Sequence, residues 1–284
     1  RQMCIRDRDM IILDGTEVKV EHFPDGTQRI VLENLPNMEW RNTHEITWKF
    51  EREEELSTLI YVTRHLRNMP CIQEICLNLL YLPNARMDRI HNHKEVFTLR
   101  GFADAINWLR FDVVRVLDVH SNVGAALLNN VLVCTPEKYL KEVIDQIDET
   151  VPLVLYFPDA GAAKRYSGLL PGMKYCYGEK KRDWETGKIL GLAIKTNGID
   201  LQKQTILMVD DIIAYGGSLY YSAKELKRMG ADTIYAYATH TENSILDKEK
   251  GTLIKLLEDN TVERLFTTGS LFIGEHDKIT VLEV

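Results

Sequence analysis

Residues 205–218 read Thr205-Ile206-Leu207-Met208-Val209-Asp210-Asp211-Ile212-Ile213-Ala214-Tyr215-Gly216-Gly217-Ser218. An apolar, β-favouring run leads to two adjacent carboxylates and then to a Gly-Gly-Ser turn. A helical pattern follows at once, with its apolar positions on one side at Leu219, Ala223, Leu226 and Met229. Backbone N–H groups and the positive end of a helix dipole converge at such a turn, and glycine lets the chain approach an anion closely. The stretch therefore predicts a strand, a phosphate-binding turn and a helix.

The paired carboxylates Asp210 and Asp211 indicate that the ligand is more than a phosphate. Carboxylates do not favour phosphate, so they must serve hydroxyl groups or a metal ion, and a sugar phosphate offers both kinds of partner. A lone Gly-Gly is usually only a solvated turn. The full order of strand, Asp-Asp, four residues, Gly-Gly-Ser and amphipathic helix favours a binding site instead. It resembles the phosphoribosyl-diphosphate loop of type I phosphoribosyltransferases and, more closely, that of ribose-phosphate diphosphokinases.

Length and composition limit the protein class. The 284 residues are 45% hydrophobic, which suits one large or two modest domains. A net charge of −7 argues against a protein that coats nucleic acid. The apolar stretches are strand-length, which predicts no transmembrane span, and residues 1–10 contain no signal-peptide core and fit no element. Five cysteines without zinc or redox spacing favour reduced thiols in a cytoplasm.

Strands alternate with helices along the chain. Short strands and turns fill 10–33, helices are predicted at 54–68, 99–109, 136–147 and 248–257, and further strands at 75–82, 113–119, 153–157, 233–238, 264–267 and 278–284. A polar, charge-dense stretch, 177–188, lies between elements. The alternation predicts an α/β protein with two domains, 10–137 and 138–284. Each is expected to be a mostly parallel sheet with helices on both faces, and the last strand is a candidate to return to the first domain.

Six motifs in one family's order extend the resemblance along residues 18–281. They are Phe23-Pro24-Asp25-Gly26, Tyr81-Leu82-Pro83-Asn84-Ala85-Arg86-Met87-Asp88-Arg89, Val116-Leu117-Asp118-Val119-His120-Ser121, Pro158-Asp159-Ala160-Gly161-Ala162-Ala163-Lys164-Arg165, Glu179-Lys180-Lys181-Arg182 and Tyr237-Ala238-Thr239-His240. On these residues the chain is identified as a divergent member of the ribose-phosphate diphosphokinase (phosphoribosyl diphosphate synthetase) family.

The resemblance implies an enzyme with two phosphoribosyltransferase-like domains. The N-terminal domain would lie on the ATP side and the C-terminal domain would carry the sugar-phosphate loop. The family transfers the β,γ-diphosphate of ATP to the anomeric hydroxyl of ribose 5-phosphate, with Mg²⁺ and release of AMP. It offers its adenine loop across a subunit interface, which implies a homo-oligomer. The expected partners are ATP and a molecule containing ribose 5-phosphate, and neither nucleic acid nor a membrane is expected.

The resemblance also assigns site residues. ATP-binding residues would be Phe23, Asp25, Arg86, Asp88 and His120. Residues holding the magnesium–ATP would be His120 and Asp159, although a histidine at a strand end is more often structural and magnesium prefers oxygen. Sugar-phosphate-binding residues would be Asp210, Asp211, Tyr215, Gly216, Gly217 and Ser218. Lys180 and Arg182 would be catalytic, closing on the transferring group, where a solvated turn is the alternative interpretation.

Three departures from the family pattern affect the substrates. Thr27 stands where the adenine loop has Glu, and Met87 where the second motif has Gln. The family's Asp-Thr-Gly-Gly-Thr loop is here Ala214-Tyr215-Gly216-Gly217-Ser218, and Tyr220 and Tyr221 follow. Aromatic rings replace a Thr hydroxyl poorly but stack well on a base. One hypothesis is therefore an acceptor extended at its phosphate, such as ADP-ribose in NAD synthesis. Ribose 5-phosphate itself is the other.

Two further functions compete with an active diphosphokinase. A nucleobase phosphoribosyltransferase shares the Asp-Asp loop, but it needs only one such domain and does not explain His120 or Lys180. A non-catalytic homologue that regulates an active enzyme is favoured by the loss of the loop Asp at Ala214. The retained charged residues, Asp159 and Arg182 among them, oppose it.

Overall fold

The computed structural model describes residues 10–32, 42–147, 152–182 and 189–284, with only the backbone at 180–182 and 189–190. The chain divides into two compact units between Cys134 and Thr135. The sequence analysis placed the domain boundary after residue 137, which is where the first helix of the second unit begins. Each unit is built around its own sheet.

The N-terminal unit contains a six-stranded sheet and a separate hairpin. Its strands are β1 Ile11–Leu13, β2 Thr16–Glu17, β3 Lys19–His22, β4 Gln28–Val31, β5 Thr43–Trp48, β6 Glu74–Leu79, β7 Val113–Leu117 and β8 Val131–Cys134. The sheet order is β2-β1-β5-β6-β7-β8, and β5 to β8 are parallel. The antiparallel strands β3 and β4 form the hairpin. Parallel neighbours place their carboxyl-end loops side by side at one edge of the sheet.

One face of this sheet carries the core of the N-terminal unit. The helices are α1 Glu55–Arg67, α2 Thr98–Trp108 and α3 Asn122–Leu127. Their apolar residues join a single cluster with alternate residues of β5, β6 and β7, such as Ile46, Leu77 and Val116.

The opposite face of the N-terminal sheet is polar. There, Arg115 Nη1 lies 3.1 Å from both Glu45 Oε2 and Asn78 Oδ1. Covering such a network with an apolar helix face would remove these groups from water at a cost. Within its described residues this unit therefore packs its helices on one face, and the expectation of helices on both faces fails here.

In its described ranges, 135–147, 152–182 and 189–284, the C-terminal unit contains seven strands and four α-helices. They are α4 Glu137–Asp145, β9 Leu153–Phe157, α5 Ala160–Tyr166, β10 Tyr175–Arg182, β11 Ile189–Lys195, β12 Thr205–Ile213, α6 Gly217–Arg228, β13 Thr233–Thr241, α7 Leu253–Glu258, β14 Arg264–Thr268 and β15 Ile279–Leu282. The sheet order is β11-β10-β9-β12-β13-β14-β15, parallel except for β10 with β11. The last strand, β15, pairs with β14 and does not return to the first unit, because it completes this sheet's edge.

Helices cover both faces of the C-terminal sheet. On one face, Met208 of β12 packs in a cluster with Leu219 and Leu226 of α6 and with residues of α7. On the other face, Phe157 of β9 stacks on Tyr166 of α5, with ring centroids 6.2 Å apart. The central strand β12 is thus buried from both sides until its carboxyl end, where the polar residues begin. The fold is the predicted α/β class with two sheet domains.

The charge-dense stretch 177–188, expected between elements, begins as strand. Its first six residues belong to β10, which runs past the end of β9 and pairs with β11. The strand β11 forms the edge of this sheet, and charged residues are common near sheet edges. Residues 183–188 lie outside the described part.

The sequence led us to expect reduced thiols and no transmembrane span. Among the described cysteines, Cys76, Cys134 and Cys176 are free thiols. Over the ranges that the structure describes, no helix combines the length and apolar character needed to cross a membrane.

The position of α6 depends on its buried apolar side. Leu226 is fully buried against the sheet. We expect Leu226→Ala to lower the free energy of unfolding of the C-terminal unit by about 2–5 kcal/mol, through lost burial and a residual cavity. Denaturant titration followed by circular dichroism would measure it. Arg228→Ala, which removes only an exposed ion pair with Glu225 on the same helix, should leave the free energy of unfolding almost unchanged, because solvent screens that pair. Equal losses would contradict this account of α6.

Candidate active site

The glycine turn between β12 and α6 adopts the geometry that its sequence predicts. Gly216 has φ +82°, a left-handed conformation that glycine adopts without strain, and α6 begins at Gly217. A Cβ atom at Gly216 would lie 2.3 Å from Leu253 Cβ, so glycine is required by space as well as by conformation. The first-turn N–H groups of α6 are directed, as at any helix N-terminus, towards the space in front of the turn. The arrangement can hold a phosphate.

A second segment holds this turn in place through one carbonyl group. Tyr215 O accepts hydrogen bonds from Thr252 N and Thr252 Oγ1, both at 2.8 Å, and from Leu253 N at 3.3 Å. The sequence analysis predicted a helix across 248–257. The structure begins the helix only at Leu253 and uses the preceding residues as a brace for the turn. No local signal in the sequence connects Thr252 with Tyr215.

The two carboxylates on β12 have different surroundings. Asp210 and Asp211 point to opposite faces of the sheet, since neighbouring strand residues alternate. Asp210 Oδ1 accepts a hydrogen bond from Asp211 N at 2.9 Å. Burial, reinforced by the negative charge of Asp211, raises the pKa of the Asp210 carboxyl well above its usual range. Asp210 therefore holds a proton more tightly than an ordinary aspartic acid does.

Asp211 instead has a cationic partner. Its side chain is almost fully buried, and Asp211 Oδ2 lies 3.5 Å from Arg165 Nη1. Arg165 belongs to α5, and its guanidinium carbon lies 5.1 Å from the centroid of the Tyr166 ring. The sequence analysis included Arg165 only as part of a motif and did not assign it a role in the site. Its position shows that α5 supplies the charge that balances a carboxylate of the Asp-Asp pair.

Asp159 lies at the carboxyl end of β9, the neighbour of β12. It is the N-cap of α5, where Asp159 Oδ1 accepts a hydrogen bond from Ala162 N at 2.9 Å. The buried Tyr156 hydroxyl lies 2.7 Å from Ser222 Oγ of α6. Burial raises the pKa of Tyr156 above its ordinary value, and the charges of Asp210 and Asp159 add to the effect. Asp159 and Asp210 therefore belong to one electrostatic neighbourhood around a neutral tyrosine.

Lys180 and Arg182 lie in β10, opposite Leu192 and Ile189 of β11. Their backbone is in a strand and not in the loop that the sequence suggested. Their side chains are outside the described part of the structure, so their catalytic assignment stays a prediction.

The hairpin of the N-terminal unit presents the predicted adenine loop. Phe23 is 51% exposed near the tip. Asp25 Oδ1 accepts hydrogen bonds from Thr27 N at 3.0 Å and from Thr27 Oγ1 at 2.7 Å, and these bonds lower the pKa of Asp25. Thr27, which stands where the family has Glu, thus fixes the neighbouring carboxylate instead of offering a second one.

Arg86, Asp88 and His120 lie on the loops that follow β6 and β7. Arg86 is exposed, Asp88 Oδ1 lies 3.5 Å from Arg89 Nε, and His120 immediately precedes the N-cap of α3. A Cβ atom at Gly124 would lie 2.7 Å from Leu82 Cδ2 and 3.0 Å from Val119 Cγ1. This glycine lets the two loops pack closely, which places the three predicted ATP-binding side chains along one edge of the N-terminal unit. The sequence analysis did not single out Gly124.

Known proteins that are similar to this chain in sequence belong to the family that its motifs resemble. No family model matches the chain. It is 25% identical over 232 residues to a ribose-phosphate pyrophosphokinase of Pyrococcus furiosus, covering 79% of this chain and 78% of that protein. It is 27% identical over 276 residues to one of Sulfurisphaera tokodaii, covering 94% and 89%. Over most of its length the chain is thus similar to ribose-phosphate pyrophosphokinases, at a level of identity that indicates wide divergence from them.

A solved structure resembles the whole chain. The phosphoribosylpyrophosphate synthetase of Mycobacterium smegmatis matches with a TM-score of 0.73 and 19% identity, over 94% of this chain and 85% of that one. At this identity the likeness shows the fold alone.

The raised pKa of Asp210 has a consequence for stability. A carboxyl whose pKa is higher in the folded state stabilises the fold while protonated, and that stabilisation is lost as the pH rises through the folded-state pKa. Asn cannot ionise, so we expect Asp210→Asn to unfold at a higher temperature than the wild type at pH 8. The difference should shrink as the pH falls to 5. Differential scanning fluorimetry across this range measures it.

The control is Asp211→Asn, which loses the pairing with Arg165. We expect this variant to be no more stable than the wild type at pH 8. A difference for Asp210→Asn that stays constant with pH would show that Asp210 does not titrate in this range.

Proposed function

We propose that this chain transfers the β,γ-diphosphate of ATP to the anomeric hydroxyl of a ribose 5-phosphate group and releases AMP. The observation that carries the proposal is the glycine turn behind the Asp210–Asp211 pair, which offers a phosphate site and carboxylates for ribose hydroxyls within one segment. The similarity to ribose-phosphate pyrophosphokinases and the retained motifs support the same reaction.

The transfer forms one bond and breaks one bond. The anomeric oxygen attacks the β-phosphorus of ATP, the bond from that phosphorus to the bridging α,β-oxygen breaks, and AMP leaves with that oxygen. The hydroxyl proton is released. Asp210 and Asp211 would accept hydrogen bonds from the ribose hydroxyls, and the turn at Gly216 and Gly217, with the hydroxyl of Ser218, would hold the 5-phosphate. These contacts would fix the nucleophile, which is most of what phosphoryl-type transfer requires of a protein.

ATP would be bound by the N-terminal residues of the predicted set, Phe23, Asp25, Arg86, Asp88 and His120. Across the described ranges no group of three or more His, Cys, Asp or Glu side chains is arranged to hold a metal ion. Magnesium, however, is usually bound through one or two carboxylates together with substrate phosphates. The exposed Asp159 fits that donor chemistry, with His120 as the second predicted ligand. Magnesium would neutralise charge on the phosphates of ATP. Since the family's adenine loop is offered across a subunit interface, the working form would be a homo-oligomer.

The acceptor that we favour is extended at its phosphate. Tyr215 is 39% exposed beside the turn, and Tyr221 is 67% exposed on the first turn of α6. The Tyr220 and Tyr221 rings meet edge to face with centroids 5.3 Å apart. The exposed rings of Tyr215 and Tyr221 next to a phosphate site suit a nucleoside joined through a second phosphate. ADP-ribose is the simplest such acceptor, and its 1-diphosphate would be an intermediate for rebuilding NAD. The narrower alternative is ribose 5-phosphate, which gives phosphoribosyl diphosphate.

An AMP-release assay with ATP and magnesium tests both levels of the proposal. We expect AMP release to depend on an acceptor, with a higher kcat/KM for ADP-ribose than for ribose 5-phosphate. A tenfold preference for ribose 5-phosphate, about 1.4 kcal/mol of transition-state free energy, would refute the extended acceptor and leave the reaction type standing. No AMP release with either would favour a regulatory homologue. Release of pyrophosphate from phosphoribosyl diphosphate with a nucleobase would indicate a phosphoribosyltransferase.

Lys180 and Arg182 are proposed to neutralise the diphosphate while it is transferred. We expect Lys180→Ala to lower kcat by about 10²–10³ while the KM for ATP changes little, because the contact strengthens only in the transition state. Lys195→Ala is the matched control. It removes a lysine of the neighbouring strand whose Nζ lies 3.3 Å from Glu179 Oε2, and kcat should stay within about twofold of the wild-type value. A raised KM with unchanged kcat would exclude the assignment.

A further inference from the structure

The residues that brace the glycine turn form a rigid structure of their own. After the one-turn 3₁₀-helix Asn243–Leu246, Asp247 Oδ1 accepts hydrogen bonds from Glu249 N at 2.9 Å and from Lys250 N at 2.8 Å. Gly251 N donates to Asp247 O at 2.8 Å. We call residues 247–252 the bracing turn. Its backbone is fixed by its own hydrogen bonds before any contact with the glycine turn is counted.

The bracing turn is also closely packed at its second end. A Cβ atom at Gly251 would lie 2.5 Å from both Asp247 O and Ile245 O, so only glycine fits. Thr252 then donates its two hydrogen bonds to Tyr215 O. The position of Lys250 relative to the glycine turn is therefore set by backbone contacts on both sides.

This packing places a cation beside the aromatic residue that replaces Thr in the family's loop. Lys250 Nζ lies 5.9 Å from the centroid of the Tyr215 ring, within the range of a cation–π contact, and both side chains are accessible to solvent. Within the described residues no carboxylate lies within 4.0 Å of Lys250 Nζ, although the charge of Lys250 contributes to lowering the pKa of Asp247 in the same turn. Lys255 Nζ donates to Glu249 O at 3.3 Å. A positive charge and an exposed ring thus lie together next to the phosphate site.

We propose that Lys250 is a specificity-determining residue that binds the second phosphate of a pyrophosphate-bridged acceptor. The inference rests on the proposed function, because it assumes that the glycine turn holds the first phosphate. Tyr215 would then pack against the nucleoside beyond the second phosphate. The chain's net charge of −7 makes a local cation necessary for an additional anionic group. A monophosphate acceptor ends at the turn and does not need Lys250.

Three acceptors separate the contributions of the cation and the ring. Ribose 5-phosphate has neither added group, ribose 5-diphosphate has only the second phosphate, and ADP-ribose has the second phosphate and the nucleoside. The measurement is kcat/KM for AMP release from ATP with each acceptor, for the wild type, Lys250→Ala, Tyr215→Thr and the control Lys248→Ala. Lys248 is exposed in the same bracing turn. Tyr215→Thr keeps the carbonyl group that anchors the turn.

The proposal predicts a specific pattern of losses. Lys250→Ala should lower kcat/KM about 10- to 100-fold for ADP-ribose and for ribose 5-diphosphate, as expected for a lost charged hydrogen bond, and less than about threefold for ribose 5-phosphate. Tyr215→Thr should lower the ratio of kcat/KM for ADP-ribose to that for ribose 5-diphosphate about 3- to 10-fold, because only ADP-ribose carries the nucleoside. Lys248→Ala should change none of them by more than about twofold.

Three outcomes would overturn the proposal, and they can be told apart. If the wild type uses ADP-ribose but Lys250→Ala has no effect, or an equal effect on all acceptors, then Lys250 does not select the acceptor and the proposed function survives. If the wild type uses only ribose 5-phosphate, the extended acceptor and the role of Lys250 both fail, and the diphosphokinase reaction survives. If the wild type releases AMP with none of the acceptors, the proposed function itself is wrong.

Discussion

The contact between the glycine turn and residues 252–253 is the constraint on which the candidate site depends. Gly216 can approach Leu253 only because it has no side chain, and the carbonyl of Tyr215 takes three hydrogen-bond donors from the bracing side. Together these contacts fix the direction in which α6 leaves the turn. A helix N-terminus binds an anion only if its N–H groups are held at one place, so the packing of an apolar residue determines the geometry of a polar site.

The Asp210–Asp211 pair shows how the fold offsets the electrostatic cost of placing two carboxylates in a buried site. Two adjacent carboxylates at the end of a buried strand repel each other and lose hydration. Arg165 offsets this cost on one side of the sheet through Asp211. On the other side Asp210 has a raised pKa and lies in the electrostatic neighbourhood of Tyr156. The pair is therefore asymmetric before any ligand binds, with one carboxylate charge-paired and the other able to take a proton or a cation.

The sequence predicts the parts of this molecule that depend on local patterns. Helix α1 and strand β9 lie where apolar periodicity places them, and the Asp-Asp to Gly-Gly-Ser segment adopts the predicted strand, turn and helix. Contacts between distant segments were missed, among them Arg165 with Asp211 and Thr252 with Tyr215. They depend on which strands become neighbours and on exact loop paths. The charged end of β10 was expected between elements for the same reason. It is a strand because it pairs with β11, and its own composition does not indicate that pairing.

The family resemblance supports the phosphate turn of the proposed acceptor site, and the side-chain contacts of Tyr215 and Lys250 support the part beyond that turn. Resemblance alone would transfer a ribose 5-phosphate loop with a Thr hydroxyl, yet the chain has Tyr215 at that position. The structure keeps the backbone of the phosphate turn intact while the side chain of Tyr215 extends to solvent beside Lys250. A substitution that merely damaged the phosphate site would leave no reason for a rigid turn, closed by Gly251, to place an ammonium group there. The retained backbone therefore argues for continued phosphate binding, and the changed side chains argue for recognition of what lies beyond that phosphate.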